Sequence, residues 1–429
     1  LLNILGVDFL ILKEKIEDNV NGYMWVHIMN LRKWFLFSVI LFVSNFASAA
    51  INKQELMDFR DAYLKTHTLN AIYAVYSGSD SVLEGASGFY SKKFKEDPNS
   101  ADRLLGFEQQ MPVASGTKQM TAAAILRLQD QGKLGVMDVI AKHIPVDSPY
   151  WAGNMPVWAN QITIHQLLTH TAGLQEYIPA LKIDLAKAHK EINSEILQFA
   201  AKSPLLAKPG AKFEYCNTGY VILGVIIENV SGKELGAFFK DEFFDPIGMK
   251  NTYLSNLQEA SDYQNGKLGD RFPSRYFIIP GNVPPVFAPV TTELRLPPFA
   301  DGGIVSTARD MNKWMMALYN GKILSPESLK LMTTPHVESH DKLMVNAHYG
   351  YGIYIVNQNG KTIYSHGGNA IAIRGEYSYI KDLNASVIML SNSMVHVPEQ
   401  MEGKVDFTQD HNQIDIMFFN KGIINLLCK

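Results

Sequence analysis

Apolar positions along the chain switch twice between the two-residue rhythm of a strand and the longer rhythm of a helix. Asn52 precedes a segment in which Leu56, Phe59, Tyr63 and Leu64 fall on one face at helical spacing, which predicts a helix capped by that asparagine. Two strand-like stretches follow, Ala71 to Tyr76 and Ser81 to Tyr90, and the Ser-Gly-Ser-Asp turn at 77–80 between them predicts a hairpin. The same style returns near the other end. Tyr351 to Asn357, Lys361 to His366, Glu376 to Ile380 and Ala385 to Leu390 read as strands, the first two joined by Asn359-Gly360. From about 115 to 335 the periodic segments are nearly all helical. Thr163 precedes Ile164, Leu167 and Leu168; Ser231 with Glu234 reads as a capping box; Thr307 with Asp310 precedes Met311, Trp314 and Met315. Residues 263–300 hold seven prolines and read as a long loop, and 411–427 as an apolar helix covering one face of the sheet. The pattern predicts an α/β fold, with one antiparallel sheet assembled from 50–114 and 336–429, flanked by helices, and a mostly helical region, 115–335, inserted into it. Clefts between such regions are where sites form.

The first fifty residues stand apart from this pattern. Arg32 and Lys33 after Met29 lead into an apolar run from Trp34 to Phe46 that ends in Ala47-Ser48-Ala49. A basic start, a short apolar core and a small-x-small ending describe a secretory signal peptide at 29–49, too short in its core to span a membrane, so no stable membrane anchor is expected. Residues 1–28 then read as an over-extended start, and 50–429 as an exported, periplasmic or secreted chain. At 47% hydrophobic and 19% charged residues the composition is that of a globular enzyme with a packed core, and a net charge of -3 recruits no nucleic acid. Lys92, Lys93 and Lys95 are followed by acids and read as a solvated turn. Two cysteines, Cys216 and Cys428, exclude a disulfide framework and leave at most one bridge. No pair of histidines has zinc spacing, so neither metal nor other cofactor is expected; His165 and His170 read as members of a short helix.

Candidate chemistry starts from a serine, a poor nucleophile unless a base lies within hydrogen-bond reach and donors await the oxyanion. Ser-x-x-Lys occurs at Ser115, Ser339 and Ser378, and only Ser115 is followed by a long amphipathic helix. If Ser115 opens that helix, Lys118 lies one turn on and on the same face. Tyr-x-Asn occurs at Tyr215-Cys216-Asn217, directly before a helix, and at Tyr263-Gln264-Asn265, inside the proline-rich stretch. His-x-Gly occurs at His348-Tyr349-Gly350 and at His366-Gly367-Gly368; the second ends a predicted strand, and its glycines let a substrate lie against an exposed backbone edge. Order and local context together select Ser115, Tyr215 and His366.

With these motifs in place, and with ITIHQLLTHTAGL at 162–174, FEYCNTGYVILG at 213–224, DPIGMKNT at 245–252 and DGGIVSTARDM at 301–311, the chain resembles the serine β-lactamase and penicillin-binding superfamily over about 55–393. The branch it resembles holds class C β-lactamases, D-Ala-D-Ala carboxypeptidases and related esterases. The resemblance implies the β-lactamase/transpeptidase-like fold, an acyl-enzyme on Ser115, proton shuttling by Lys118 and Tyr215, and substrate binding by Asn217, His366, Gly367, Gly368 and Asn369. The oxyanion hole would be the N–H groups of Ser115 and Asn369. The segment from Gly368 to Gly375 is longer than the family's turn there, Cys216 stands where serine is usual, and His366 replaces a lysine, which removes a permanent charge for a substrate carboxylate. Arg374 is a candidate to supply that charge. The expected partners are a small-molecule or peptide substrate, cell-wall fragments included. The expected activity is esterase or D-Ala-D-Ala carboxypeptidase, with β-lactamase, or non-catalytic capture of cell-wall fragments in the same cleft, as alternatives.

Overall fold

The computed structural model describes residues 51–91, 102–184, 186–256, 273–279, 286–289, 299–340, 346–395 and 416–429. The expected signal segment at 29–49, the upstream residues 1–28 and the lysine cluster at 92–95 lie outside the described residues. Strands β1 (Ala71–Ser77), β2 (Asp80–Ser87), β3 (Val337–Glu338), β4 (His348–Tyr349), β5 (Tyr354–Gln358), β6 (Lys361–Ala370), β7 (Ile373–Ile380) and β8 (Ala385–Ser391) form one antiparallel sheet in the order β3-β4-β5-β6-β7-β8-β1-β2. The two chain ends therefore meet at the β8–β1 pair, where Ala71 faces Ser391 and Ser77 faces Ala385.

Alternation within the strands divides the interior in two. Ile72, Ala74 and Tyr76 face a large core shared with the helical region, whereas Ala71, Tyr73 and Val75 face a smaller core. The smaller core is closed by α1 (Lys53–Thr66) and by the last helix, whose Phe419 stacks on Phe59 of α1 with ring centroids 5.5 Å apart. Over the opposite face lie α2 (Thr117–Asp130), α3 (Ile164–Leu168), α4 (His189–Lys202), α5 (Asn217–Ser231), α6 (Ala308–Tyr319) and α7 (Pro326–Met332), with α8 (Ile416–Leu427) the last helix. In α5 ten consecutive residues, Thr218 to Ile227, are buried, and most of α2 is buried as well; a helix apolar on every side belongs in a core, where neighbours surround it. The two cysteines are free thiols in different cores on opposite faces of the sheet, so no bridge joins them.

Most start signals act as expected. Asn52 accepts the N–H of Glu55 at 3.2 Å, Thr163 forms a capping box with Gln166, and Thr307 accepts the N–H of Asp310 at 3.3 Å. Ser231 does not: it is the last residue of α5, followed by Gly232 in the left-handed region, and the next helix begins at Leu235. A glycine that ends one helix separates the serine from the helix it was expected to open. The expected strand at 81–90 breaks at Gly88, whose φ is +94°, and Phe89–Ser91 pairs elsewhere with Arg103–Leu104. Within the proline-rich stretch, Tyr276–Ile279 pairs with Val286–Pro289 and runs parallel to Ser393–Val395, so that part is not a loop. Here tertiary pairing overrides the local breaking tendency of proline.

Candidate active site

Ser115 lies in a one-turn 3-10 segment, Ala114–Gly116, that runs directly into α2. Ala114 before it has φ +49°, a left-handed conformation costly for a residue with a Cβ and of the kind found where backbone strain serves a site. The turn is wedged against the sheet. A Cβ on Gly116 would come within 2.6 Å of the Tyr377 ring, and the Tyr377 hydroxyl donates to the Val113 carbonyl at 3.3 Å. A Cβ on Gly368 would lie 2.2 Å from that same carbonyl, so only glycine lets β6 pass this close.

One helical turn after Ser115, the Lys118 side chain is completely buried, and its Nζ meets three acceptors: Ser115 Oγ at 3.2 Å, Asn217 Oδ1 at 2.7 Å and the Asp301 carbonyl at 2.7 Å. The two short contacts come from fixed elements, the first residue of α5 and the segment before Ile304–Ser306. With those two oxygens holding N–H bonds, the remaining tetrahedral position of the nitrogen points at the serine hydroxyl. In the neutral amine that position is the lone pair. Tyr215 stands beside it, with Lys118 Nζ 5.0 Å from its ring centroid, and is stacked on His170 at 4.2 Å and 6.2 Å from the His366 ring.

Asn217 is engaged at both ends. Its Oδ1 accepts from Lys118, while its Nδ2 and backbone N–H donate to Glu176 Oε2 at 3.0 and 2.7 Å. The carboxylate thus sits at the N-terminus of α5, where the helix dipole favours negative charge. His366 is also engaged at both ends and is 2% exposed. Its Nδ1 donates to the Gly367 carbonyl at 2.6 Å and its Nε2 lies 3.0 Å from the Tyr349 hydroxyl. Burial first, then the neighbouring Lys118, pushes its pKa down to about 3, so the ring is neutral.

Strand β6 does not end at His366; it continues to Ala370, and Ile371-Ala372 turn it back into β7. The segment from Gly368 to Gly375 is thus mostly additional ladder. Its pairing to β5 stops at Ser365, which leaves the outer edge from His366 to Ala370 beside the serine turn. Gly367 is half-buried, with a Cβ position 3.4 Å from Glu376, and the Asn369 side chain is exposed on the face away from the serine. Arg374, opposite Asn369, shares that far face, pairs with Glu376 at 3.4 Å and touches Met417 of α8. It therefore does not replace the missing lysine charge: residues of even number in β7 lie on the smaller-core side with Ile380, whereas Tyr377 and Tyr379 face the large core.

Three functional neighbours escaped the sequence reading. His170 is not in α3 but two residues past its end, at φ +57° and 2% exposed beneath Tyr215. Glu176 carries no local motif. Asp301 stands in the DGG phrase, where its aspartate could have been singled out: its Oδ2 accepts from the Tyr177 hydroxyl at 3.0 Å, its buried Oδ1 has no partner among the described residues, and burial raises its pKa to about 6 against the pull of Lys118. The competing Ser378 is buried in β7 on the smaller-core face, and Tyr263 and Lys342 lie outside the described residues.

A carboxyl whose folded pKa is raised contributes stability below its unfolded value and loses it as pH rises through the folded one. A two-unit rise corresponds to about 3 kcal/mol, so ionised Asp301 destabilises the fold above pH 6. Asp301→Asn keeps the acceptor for Tyr177 at a cost of about 1–2 kcal/mol for an unmatched amide. Denaturant unfolding should show the variant about 1–2 kcal/mol more stable at pH 8 and no more stable than wild type at pH 4; a difference independent of pH would refute the assignment.

A strained serine turn against a sheet edge, with a buried lysine one helical turn on and a Tyr-x-Asn corner above it, defines the class: a protein of the serine β-lactamase/transpeptidase fold. The chain belongs to the Beta-lactamase family, which matches residues 54–406. It is similar to penicillin-binding protein 4* of Bacillus subtilis (strain 168), 27% identical over 300 residues that cover 68% of this chain and 63% of that protein. Protein flp of Staphylococcus aureus (strain MW2) is 31% identical over 151 residues, 35% of this chain and 29% of that one. The chain thus spans less than two thirds of either relative's length. Among solved structures, D-amino acid amidase from Ochrobactrum anthropi SV3, complexed with L-phenylalanine amide, superposes with a TM-score of 0.65 at 20% identity, covering 87% of this chain and 96% of that one. The hydrolase EstCE1, with promiscuous acyltransferase activity, gives 0.63 at 18%, covering 88% and 99%.

Proposed function

We propose that the protein hydrolyses esters and amides through an acyl-enzyme on Ser115, on substrates that carry no carboxylate near the scissile bond. The three-acceptor setting of Lys118 supports the first half of this reading, because two fixed oxygens aim the amine at Ser115 Oγ. The serine proton passes to Lys118 Nζ as Oγ attacks the carbonyl carbon. The oxyanion is received by the N–H groups of Ser115 and Asn369, beside the unpaired edge of β6. Tyr215, over the amine, hands the proton to the leaving group, and water then releases the acyl group with the same residues reversed. Asn217 holds Lys118 through its Oδ1, so its part in substrate binding is secondary to that positioning.

The engagement of His366 supports the second half. Both ring nitrogens are satisfied inside the protein and the ring is neutral, while Arg374 lies on the other face of the sheet. Glu176 on Asn217 and Asp301 beside Lys118 add carboxylates that would repel a substrate anion. A panel of a short-chain ester, a D-amino acid amide, a D-Ala-D-Ala peptide and a β-lactam tests this. The neutral ester and the amide are expected to exceed the other two in kcat/KM by roughly tenfold or more, the effect of about 1.4 kcal/mol. A preference for the D-Ala-D-Ala peptide would instead make the protein a carboxypeptidase, and binding of every substrate without turnover would leave a capture protein.

A further inference from the structure

Under the site, three buried side chains form a single hydrogen-bonded row whose proton positions are fixed at both ends by the backbone. At one end His170 Nδ1 faces the Cys216 N–H at 3.0 Å, and an amide N–H can only donate. Nδ1 is therefore unprotonated, and the neutral ring carries its hydrogen on Nε2. At the other end His366 Nδ1 faces the Gly367 carbonyl at 2.6 Å, which can only accept, so that ring carries its hydrogen on Nδ1 and leaves Nε2 bare. Between them the Tyr349 hydroxyl lies 3.2 Å from His170 Nε2 and 3.0 Å from His366 Nε2. It accepts from the first and has one hydrogen to give, for which the bare His366 Nε2 is the acceptor at 3.0 Å; the Tyr220 hydroxyl, which donates to the Leu168 carbonyl at 2.9 Å, is a further neighbour of the same oxygen. All three residues are at most 2% exposed, and burial keeps both imidazoles neutral by lowering their pKa values.

We propose that Tyr349 and His170 are positioning residues of this hydrolase, which tie the Tyr215-Cys216-Asn217 corner to the oxyanion edge of β6 and lock His366 in its Nδ1–H tautomer. The proposal rests on reading Ser115 as the nucleophile. One end of the row grips the N–H between Tyr215 and Asn217, and the His170 ring also supports the Tyr215 ring at 4.2 Å. The other end grips the residue at which β6 leaves its partner β5 and begins its free edge toward Asn369. These are the two halves of the site whose separation the chemistry depends on, and they come from different parts of the chain. The middle residue lies on β4, and its hydroxyl is bonded to the two histidines rather than to Ser115 or Lys118. The lock also makes position 366 a specificity element, since a neutral ring with its one N–H turned into its own backbone cannot hold a carboxylate.

Two measurements test this. Histidine 15N NMR of the wild-type protein at pH 7 should show His366 as the neutral Nδ1–H tautomer and His170 as the neutral Nε2–H tautomer; the reverse tautomers, or a cationic His366, would overturn the proposal without any variant. In Tyr349→Phe the His366 Nε2 resonance should shift as it loses its donor, and kcat for the ester should fall roughly tenfold while KM stays within about twofold. A properly folded Tyr349→Phe protein with wild-type kcat and an unmoved His366 resonance would likewise overturn it. Ester hydrolysis that survives Ser115→Ala would sink the nucleophile assignment instead, and the tautomer measurement stands apart from that outcome.

Discussion

Ser115→Ala is expected to abolish labelling by a fluorophosphonate probe and to reduce ester hydrolysis to background, while Lys118→Ala slows both by about 10² to 10⁴. The ordering follows from what each change removes. Without Oγ no covalent bond can form. Without the amine the hydroxyl loses its nitrogen neighbour at 3.2 Å, the group proposed to take its proton. Lys118→Ala also strands Asn217 Oδ1 and the Asp301 carbonyl, two acceptors that the ammonium or amine had satisfied, so thermal unfolding must be followed alongside the rates. Tyr215→Phe should slow labelling less than Lys118→Ala, because its ring contacts with His170 and Lys118 survive the loss of the hydroxyl. Labelling that persists in Ser115→Ala, or rates that ignore Lys118→Ala, would remove these roles.

Gly368→Ala should cost roughly 10² to 10³ in kcat, the size of a lost oxyanion donor, with a much smaller change in global stability. The added methyl would sit 2.2 Å from the Val113 carbonyl and 3.3 Å from Ala114 Cβ. Backbone cannot yield as a flexible side chain does, so β6 and the serine turn must part, and the N–H groups of Ser115 and Asn369 part with them. A misplacement of about 1 Å is enough for a loss of this order. Elsewhere the sheet has slack to absorb the shift, because among the described residues no strand pairs with the outer edge of β6 at this point. An alanine variant with native kcat would show that the oxyanion is held by other groups.

Local rules carried the architecture a long way. The hairpin at 71–87, the Asn359-Gly360 turn and three of four expected caps follow from nearest-neighbour chemistry: a polar side chain capping its own helix, or two residues that tolerate positive φ between alternating strands. The pair Ser115 and Lys118 was legible for the same reason, since a three-residue separation becomes a shared helix face once a helix forms. The misjudged elements are those whose partner lies far along the chain. Tyr276–Ile279 becomes a strand because Ser393–Val395 offers it an edge; Ser231 is the local exception, since Gly232 beside it ends the preceding helix.

The sequence by itself determined the strand character of both chain ends, the helical character of the middle, and the serine, lysine, tyrosine and histidine motifs, because each depends on residues within a few positions of one another. Only the tertiary structure decided what those motifs meet. It brought Asp301 and Glu176 to the lysine and the asparagine, turned Arg374 away to the far face, and drew His170, Tyr349 and His366 into one row. The physical reason is that burial and hydrogen-bond partnership beyond the local segment set the charge and direction of a titratable group. His366 in isolation is a partly charged, freely turning imidazole near neutral pH, and it becomes a neutral ring with both nitrogens occupied only when β4, β6 and the buried Lys118 side chain close around it.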